Sequence, residues 1–256
     1  MTLPLRPDWA LAAAADLTGR TVLVVGGAGG VGEGVVRTLL AQGASVIATS
    51  RNPGRAQAFA ERLDDPRLHV EALDALSGGF ADDVRDISER YGPLDGVIVT
   101  IASWGEQGRK PLLALTDAEW DVLVAENQTA VFRAYRALYP TLTANGALVQ
   151  LNGMSADLPF PGAGGVALTA AATKSMTRTI AAEMQGRGAR VYEVILGVVR
   201  TRARQRAGID DERWIDGTEI GVHLAELIAG TSPLADTTVH YFIDKSDGPR
   251  AAAPQL

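Results

Sequence analysis

The most constraining feature of this chain is a buried strand that runs directly into a glycine-rich turn and then into a helix. Residues 21–25 form a short, continuously apolar, β-branched run, which predicts a strand buried on both faces. The turn Gly26–Gly32 follows, and residues 35–40 place apolar side chains on one helical face. Glycines at this junction let the backbone approach a pyrophosphate, whose charge the first helical N–H groups would face. The pattern predicts a dinucleotide-binding unit; an ordinary tight loop is the alternative.

The rest of the chain alternates strand-like and helix-like segments. This alternation favours an α/β, doubly wound (Rossmann) parallel sheet of about seven strands with helices on both faces. The 256 residues suit a single domain over residues 16–256, preceded by an N-terminal extension over residues 1–15. No apolar run approaches the roughly 18 residues that a membrane span needs. The first residues lack the basic region and cleavage pattern of a signal peptide, so we expect a cytoplasmic protein.

Charge and composition argue against several other classes of protein. The net charge of −6 disfavours nucleic-acid binding, and the absence of cysteine removes disulfide and thiol chemistry. The three histidines, His69, His223 and His240, lack the spacing of metal ligands, so we expect no metal site. A small-molecule ligand is the partner that remains.

The glycine spacing and several later segments resemble the short-chain dehydrogenase/reductase family. Gly26, Gly30 and Gly32 match its T-G-x-x-x-G-x-G motif, with Val25 in place of the threonine. Later similarities follow in order along almost the whole chain, ending with a final strand at Tyr241–Asp244. The resemblance implies a nicotinamide cofactor, with Asp74 against its adenine. The other positions that match the family's cofactor contacts are Gly26, Gly29, Gly30, Val31, Gly32, Ala102, Gly197 and Thr201.

The end of the second predicted strand indicates which nicotinamide cofactor is bound. Ser50 stands where an NAD enzyme of this fold carries an acidic residue for the ribose hydroxyls, and Arg51 follows it. A hydroxyl and a guanidinium would bind a 2′-phosphate that a carboxylate would repel. Arg55 lies nearby in sequence. We therefore expect NADP(H); a solvated arginine after a strand is the alternative.

The catalytic set implied by the resemblance is incomplete. In this family an asparagine, a serine, a tyrosine and a lysine form one proton relay. Asn127 and Lys174 match the asparagine and the lysine, but Ala170 occupies the tyrosine position four residues before Lys174. The serine position falls on Gly153, which leaves Ser155 as the nearest substitute. A merely solvated Lys174 is the alternative to a cofactor ligand.

No other tyrosine is expected to replace the missing one. Tyr135 and Tyr139 lie two or more turns beyond Asn127 on its helix, and Tyr192 lies inside the sixth strand. Tyr91 and Tyr241 lie in segments that we expect far from the carboxyl edge of the sheet. Asp157 and Thr169 are, with Ser155, the nearest polar candidates.

A substrate that carries its own acid would resolve the missing proton donor. A peri-hydroxy aromatic ketone does so, because its phenol already hydrogen-bonds the carbonyl oxygen. The chain is in this respect similar to tyrosine-less polyketide ketoreductases of antibiotic biosynthesis. Substrate contacts are expected from Trp104, Met154 and Trp214 and from a lid at residues 200–216, whose arginines would bind an acidic tail or simply face solvent.

The sequence thus predicts an NADPH-dependent ketoreductase that acts on a small-molecule ketone. The family resemblance also implies a homo-oligomer, a dimer or a tetramer. Two alternatives remain open. One is a catalytically silent NADP(H)-binding subunit or regulator, and the other is a lyase or isomerase on the same scaffold.

Overall fold

The computed structural model describes residues 15–105 and 107–253 and is built on a seven-stranded, wholly parallel sheet. The order across it is β3-β2-β1-β4-β5-β6-β9. Its strands are β1 (Thr21–Val25), β2 (Ser45–Ser50), β3 (Leu68–Ala72), β4 (Leu94–Val99), β5 (Leu142–Gly153), β6 (Arg190–Leu196) and β9 (Val239–Phe242). Two short strands, β7 (Val199–Arg200) and β8 (Ile215–Asp216), pair separately. The predicted doubly wound, single-domain α/β sheet is confirmed.

Helices cover both faces of the sheet. They are α1 (Gly30–Ala41), α2 (Pro53–Leu63), α3 (Phe80–Tyr91), α4 (Asp117–Val124), α5 (Ala130–Leu138), α6 (Gly164–Met184), α7 (Arg202–Arg206) and α8 (Gly217–Ala229). One core joins α1, α2 and α8 to the sheet, and the other joins α3, α5 and α6 to its opposite face. No helix in the described part of the chain is long and apolar enough to cross a membrane.

Helices α1 and α8 touch at two glycines. A Cβ added at Gly34 would lie 2.5 Å from the backbone of Gly217, so the two helices meet backbone to backbone. Ile220 and Leu224 of α8 are fully buried beside this contact. The contact holds α1, and with it the glycine-rich turn, against the sheet.

The strand order reverses direction between β1 and β4. From β1 the chain builds outward through β2 and β3, and then returns to add β4, β5, β6 and β9 on the other side. In open parallel sheets such a reversal leaves a crevice at the carboxyl ends of the two strands. The glycine-rich turn after β1 therefore lies at the mouth of this crevice.

Ala15, one residue before the predicted start of the domain at residue 16, already packs into the core. Residues 1–14 of the predicted N-terminal extension and residues 254–256 of the predicted domain lie outside the described residues. Ala15, the last residue of that extension, is buried, and Leu17 is fully buried in the core. The backbone N–H of Leu17 donates to the carbonyl of Gln42, so the domain's packing includes residue 15 onward.

Candidate cofactor and active site

The glycine-rich turn combines two glycines that the fold requires with one that it does not. Gly26 has φ +81°, and a Cβ there would collide with the Thr100 hydroxyl. A Cβ on Gly32 would lie 2.5 Å from the carbonyl oxygen of Gly26. Gly29, by contrast, is extended at φ −172° and has open space where a Cβ would stand. The glycine-rich turn Gly26–Gly32 is called the cradle below. It is packed against protein atoms at Gly26 and Gly32 and is open at Gly29, where a pyrophosphate would lie.

The start of α1 carries no capping side chain, because its N-cap residue is Gly29. Gly30 has φ +55°, a left-handed conformation that favours glycine, and Val31 follows in the first turn and packs partly against the core. The first N–H groups of the helix and its dipole therefore face the crevice, which is the arrangement that binds phosphate groups.

The end of β2 carries the residues expected to select the cofactor. Ser50 is the last residue of β2, and its hydroxyl accepts the N–H of Asn52 at 3.1 Å. Arg51 is largely exposed and donates to Glu126 at 3.2 Å. Asp74 lies just beyond the neighbouring strand β3, where its carboxylate accepts the N–H of Leu76 at 3.0 Å. All these residues follow carboxyl ends of strands, as the cofactor prediction requires.

Asn127 holds the loop that follows β4. It lies in a π-helical turn, residues 125–129, between α4 and α5, and is 7% exposed. Its side-chain oxygen accepts the N–H of Ser103 at 2.7 Å, and its amide nitrogen donates to the carbonyls of Ser103 and Leu123 at 3.1 and 3.0 Å. Ala102, the predicted cofactor contact, directly precedes Ser103. The amide of Asn127 is therefore fully used in positioning this loop.

Helix α6 presents no phenol to the site. The carbonyl of Ala170 accepts from the side-chain amide of Asn152 at 2.8 Å, and the alanine methyl has no proton to offer. Gln128, next to Asn127, donates to the carbonyl of Thr169 and to the hydroxyl of Thr173 at 2.5 and 2.9 Å. Thr169 and Thr173 thus form the part of α6 that contacts Gln128, and neither carries a strong acid.

Lys174 is held by partners in the loop after β5 and in the edge strand β9. Its ammonium group forms an ion pair with Asp157, in the loop after β5, and donates to the Tyr241 hydroxyl at 2.8 Å. Burial opposes its charge, but these hydrogen bonds outweigh burial and raise the pKa of the Lys174 ammonium above its ordinary value. The structure does not bring Lys174 and Asn127 into hydrogen-bond contact, because their side chains have separate partners.

The expected position of Tyr241 is wrong. Tyr241 is the third of the four residues of β9 and pairs with Ile195, the next-to-last residue of β6, so it lies close to the carboxyl edge. We expected it far from that edge because the local sequence contains no signal for the register between β9 and β6. Its hydroxyl is the only tyrosine hydroxyl of the described residues that bonds to Lys174.

The other tyrosines lie where the sequence places them. The hydroxyl of Tyr135 is buried in the core, bonded to Gln150 and Thr177. The three others bond to Ala189, Ala235 and Glu71; they are Tyr139, Tyr192 and Tyr91 respectively. None of these four replaces the missing phenol.

A buried carboxyl group, that of Glu193, is linked through the Asn152 amide to helix α6, which carries Lys174. Glu193 of β6 is fully buried and accepts from the Asn152 amide at 2.7 Å, while its second oxygen has no partner among the described residues. Burial raises the pKa of Glu193 to about 7, and the Asn152 hydrogen bond only partly opposes this. Glu193 is not among the site residues predicted from the sequence, where its one signal is an acidic residue inside an otherwise apolar strand.

The loops after β4 and β5 form an aromatic wall. Trp104 is 47% exposed and meets Phe160 edge to face, with ring centroids 5.7 Å apart. The guanidinium of Arg109 lies 5.8 Å from the Trp104 ring and 5.7 Å from the Phe160 ring. Met154 and Ser155 lie in a single 3₁₀ turn at the end of β5. An aromatic ligand and an acidic group would both find partners here.

The predicted lid is a small structured unit in which some arginines have partners and others, Arg202 and Arg206 among them, are exposed. Arg200 forms two hydrogen bonds with Asp210, of 2.6 and 2.7 Å. Arg204 donates to the carbonyl of Val199 at 2.6 Å and stacks on Trp214 at 5.4 Å. Two of the lid's arginines are thus held within it and are not free to bind an acidic tail.

The base of the lid is fixed at two predicted cofactor positions. Gly197 directly follows β6 and lies so close to the Ile243 carbonyl that a Cβ would collide with it. Thr201 is the N-cap of α7, and its hydroxyl accepts the N–H of Arg204 at 3.4 Å. Both residues lie beyond the carboxyl end of β6.

The sequence matches a family of known enzymes. The family model for short chain dehydrogenase matches residues 20–212. The chain is 28% identical to 2,3-dihydro-2,3-dihydroxybenzoate dehydrogenase of Bacillus subtilis over 88% of this chain and 90% of that protein. It is 26% identical to the 3-oxoacyl-[acyl-carrier-protein] reductase of Escherichia coli over 77% of this chain and 80% of that protein.

Solved structures have the same architecture. A dehydrogenase/reductase from Sinorhizobium meliloti superposes with a TM-score of 0.77 at 25% identity, covering 93% of this chain and 98% of that chain. The NADPH-bound short chain oxidoreductase from Pseudomonas aeruginosa, described as containing an atypical catalytic center, gives 0.74 at 25% identity, covering 90% and 96%.

Proposed function

We propose that this chain, which belongs to the short-chain dehydrogenase family, is an NADPH-dependent ketoreductase of hydroxy-aromatic ketones. The observation that carries the proposal is the row of groups along one edge of the sheet. The open cradle at Gly29, the guanidinium of Arg51 and the loop held by Asn127 follow the ends of β1, β2 and β4 in turn. A dinucleotide laid along this edge would meet all three, and the aromatic wall lies beyond the last.

The preference for NADPH rests on Ser50 and Arg51. The end of β2 carries Ser50 and not an acidic residue of its own, and the exposed guanidinium of Arg51 follows it. A charge-assisted hydrogen bond to a 2′-phosphate contributes about 1.5–3 kcal/mol. Titration should therefore give tighter binding of NADPH than of NADH, and Arg51→Ala should remove the difference. Equal affinities in the unmodified protein would contradict the choice of cofactor.

The proton is proposed to come from the substrate. When bound, the cofactor supplies a hydride to the carbonyl carbon, so negative charge develops on the carbonyl oxygen. Ala170 presents no phenol to that oxygen, and Asn127 is already committed to Ser103 and Leu123. A substrate phenol beside the carbonyl transfers its proton to the oxygen, and solvent then reprotonates the phenolate.

The proposed substrate class rests on the aromatic wall. Trp104 and Phe160 present an exposed edge-to-face pair, and Arg109 adds a positive charge between them. Such a surface suits a planar ring that carries a hydroxyl or carboxyl group. The Bacillus subtilis relative is named for 2,3-dihydro-2,3-dihydroxybenzoate, a six-membered ring that carries hydroxyl and carboxylate groups but is not aromatic. We include aromatic polyketides, as intermediates of antibiotic biosynthesis, in the proposed class.

Two versions of one substrate test this function. NADPH oxidation is measured with a peri-hydroxy aromatic ketone and with its O-methyl ether, which lacks the neighbouring acid. The free phenol should be reduced and the ether should not, because loss of a positioned acid costs about 10²–10⁴-fold in rate. The affinity for NADPH, measured in a separate titration, should be the same in the presence of the phenol and of its ether. Equal reduction of the ether would show that a side chain of the protein is the acid.

A catalytically silent, NADP(H)-binding subunit is the second candidate function. It is favoured by the partners of Lys174, because an ammonium held by Asp157 and Tyr241 is not free for a nicotinamide ribose. Lys174→Met separates the two functions. A catalytic Lys174 predicts roughly tenfold weaker NADPH binding and slower turnover, whereas a silent protein shows no turnover with either form. Lys110→Met, which removes an ion pair with Glu119, is the matched control.

A homo-oligomer is part of the same proposal. Phe132 of α5 and Leu168 of α6 are 48% and 43% exposed, which leaves apolar surface on two neighbouring helices. A second copy of the chain would cover it. Light scattering at several protein concentrations measures the number of copies, and a monomer throughout would contradict this part of the proposal.

A further inference from the structure

Glu126 connects the two loops that border the cofactor crevice. It lies in the π-helical turn beside Asn127, and its side chain is 22% exposed. One carboxylate oxygen accepts from the Arg51 guanidinium at 3.2 Å, and the other accepts from the Ser103 hydroxyl. Arg51 follows β2 and Ser103 follows β4. One carboxylate therefore joins residues from both sides of β1.

The position of this bridge coincides with the path proposed for the dinucleotide. Strands β2 and β4 flank β1, so the bridge spans two strand spacings, about 10 Å, across the carboxyl end of β1. The glycine-rich cradle begins at that same end. Glu126 is thus placed at the adenosine side of the crevice, against the residue that selects the cofactor.

We propose that Glu126 competes with the cofactor's 2′-phosphate for Arg51 and so sets how strongly the protein prefers NADPH. This inference rests on the proposed function. In the free protein the carboxylate neutralises the guanidinium and holds it in place. A 2′-phosphate carries more negative charge than a carboxylate and takes the guanidinium over. A 2′-hydroxyl carries no charge, so NADH leaves the Arg51–Glu126 pair intact.

The size of the effect follows from the exposure of the pair. The side chain of Arg51 is 63% exposed, and ion pairs this open contribute little because solvent screens them. Removing the carboxylate should therefore tighten NADPH binding by about fivefold rather than by orders of magnitude. The effect should shrink at high salt, because screening weakens the pair and the phosphate contact alike.

The experiment measures the affinities of NADPH and NADH for the full chain and five variants, one of which is Arg51→Ala. Glu126→Gln removes the charge and Glu126→Ala removes the side chain. Asp121→Asn removes a charge from the exposed surface of the preceding helix α4 and is the matched control. Arg51→Ala/Glu126→Gln tests whether the effect passes through Arg51. Circular dichroism checks that each variant is folded.

Both Glu126 variants should bind NADPH about fivefold more tightly, with NADH unchanged and Asp121→Asn like the unmodified protein. The double variant should behave like Arg51→Ala alone. An unchanged ratio of affinities would overturn the inference, and so would weaker NADH binding by Glu126→Gln, which would mean that Glu126 holds the ribose hydroxyls. If the unmodified protein prefers NADH or binds neither cofactor, the proposed function itself has failed. A clear NADPH preference that stays the same in the Glu126 variants would overturn only this inference.

Discussion

The ammonium group of Lys174 donates a hydrogen bond of 2.8 Å to the hydroxyl of Tyr241, although 67 positions separate the two residues in sequence. The same ammonium lies 5.2 Å from the centre of the Tyr241 ring and forms an ion pair with Asp157. Helix α6, the loop after β5 and the edge strand β9 are thus joined at one cation. A phenol does accompany this lysine, but it comes from another strand and not from the preceding turn of α6.

Tyr241→Phe tests whether that phenol is the acid. The substitution keeps the ring over Lys174 and removes only the hydroxyl. Because we propose that the substrate supplies the proton, we expect turnover of a peri-hydroxy ketone to fall by less than about tenfold, well short of the 10²–10⁴-fold loss of a general acid. Steady-state rates at saturating NADPH are the measurement. A hundredfold loss with unchanged NADPH affinity would make Tyr241 the proton donor.

Gly29→Ala separates cofactor approach from protein stability. Gly29 has an extended backbone that any residue adopts and open space around its Cβ position, so the melting temperature should fall by no more than about 2–4 °C, the cost of alanine at an N-cap. A methyl group there would instead obstruct a pyrophosphate, and NADPH affinity should fall by about tenfold or more. Gly34→Ala provides the contrast, because its Cβ would meet Gly217 and destabilise the fold. A stable Gly29→Ala variant with unchanged NADPH affinity would contradict the proposal that a pyrophosphate lies against Gly29.

Glu193→Gln should change how stability depends on pH. The pKa of buried Glu193 is about 7, above the value of about 4.5 expected when unfolded. Below pH 4.5 both states hold the proton, so there is no penalty. As pH rises toward 7 the unfolded state loses its proton first, and stability falls by about 3 kcal/mol in all.

Urea unfolding at pH 5 and pH 8 measures this effect. The drop in unfolding free energy between the two values should be smaller in Glu193→Gln than in the unmodified protein. Glu183→Gln, at an exposed position of α6, should behave like the unmodified protein. Identical pH dependence in all three proteins would mean that Glu193 ionises normally.

The aromatic wall predicts separate effects on ring and acid recognition. Trp104→Leu should raise KM for every aromatic ketone, because it removes a face of the edge-to-face pair with Phe160. Aromatic pairs contribute about 0.5–1.5 kcal/mol, so the change should be about two- to tenfold. Arg109→Gln should raise KM only for substrates that carry a carboxylate. NADPH affinity should not change in either variant. Weaker NADPH binding by both variants would show that Trp104 and Arg109 contact the cofactor and not the substrate.

Local sequence accounts for the features that depend on near neighbours along the chain. The apolar run before Gly26, the glycines after it and the alternation of strands and helices predict the sheet and the crevice, because each depends on a few consecutive residues. The absence of a phenol at Ala170 is likewise a fact of sequence. The tertiary structure decided which distant residues meet. Strand order and the register of β9 against β6 brought Tyr241 to Lys174, and the packing of the π-helical turn brought Glu126 to Arg51. These contacts follow from how the crossovers arrange whole elements, and no local pattern encodes that arrangement.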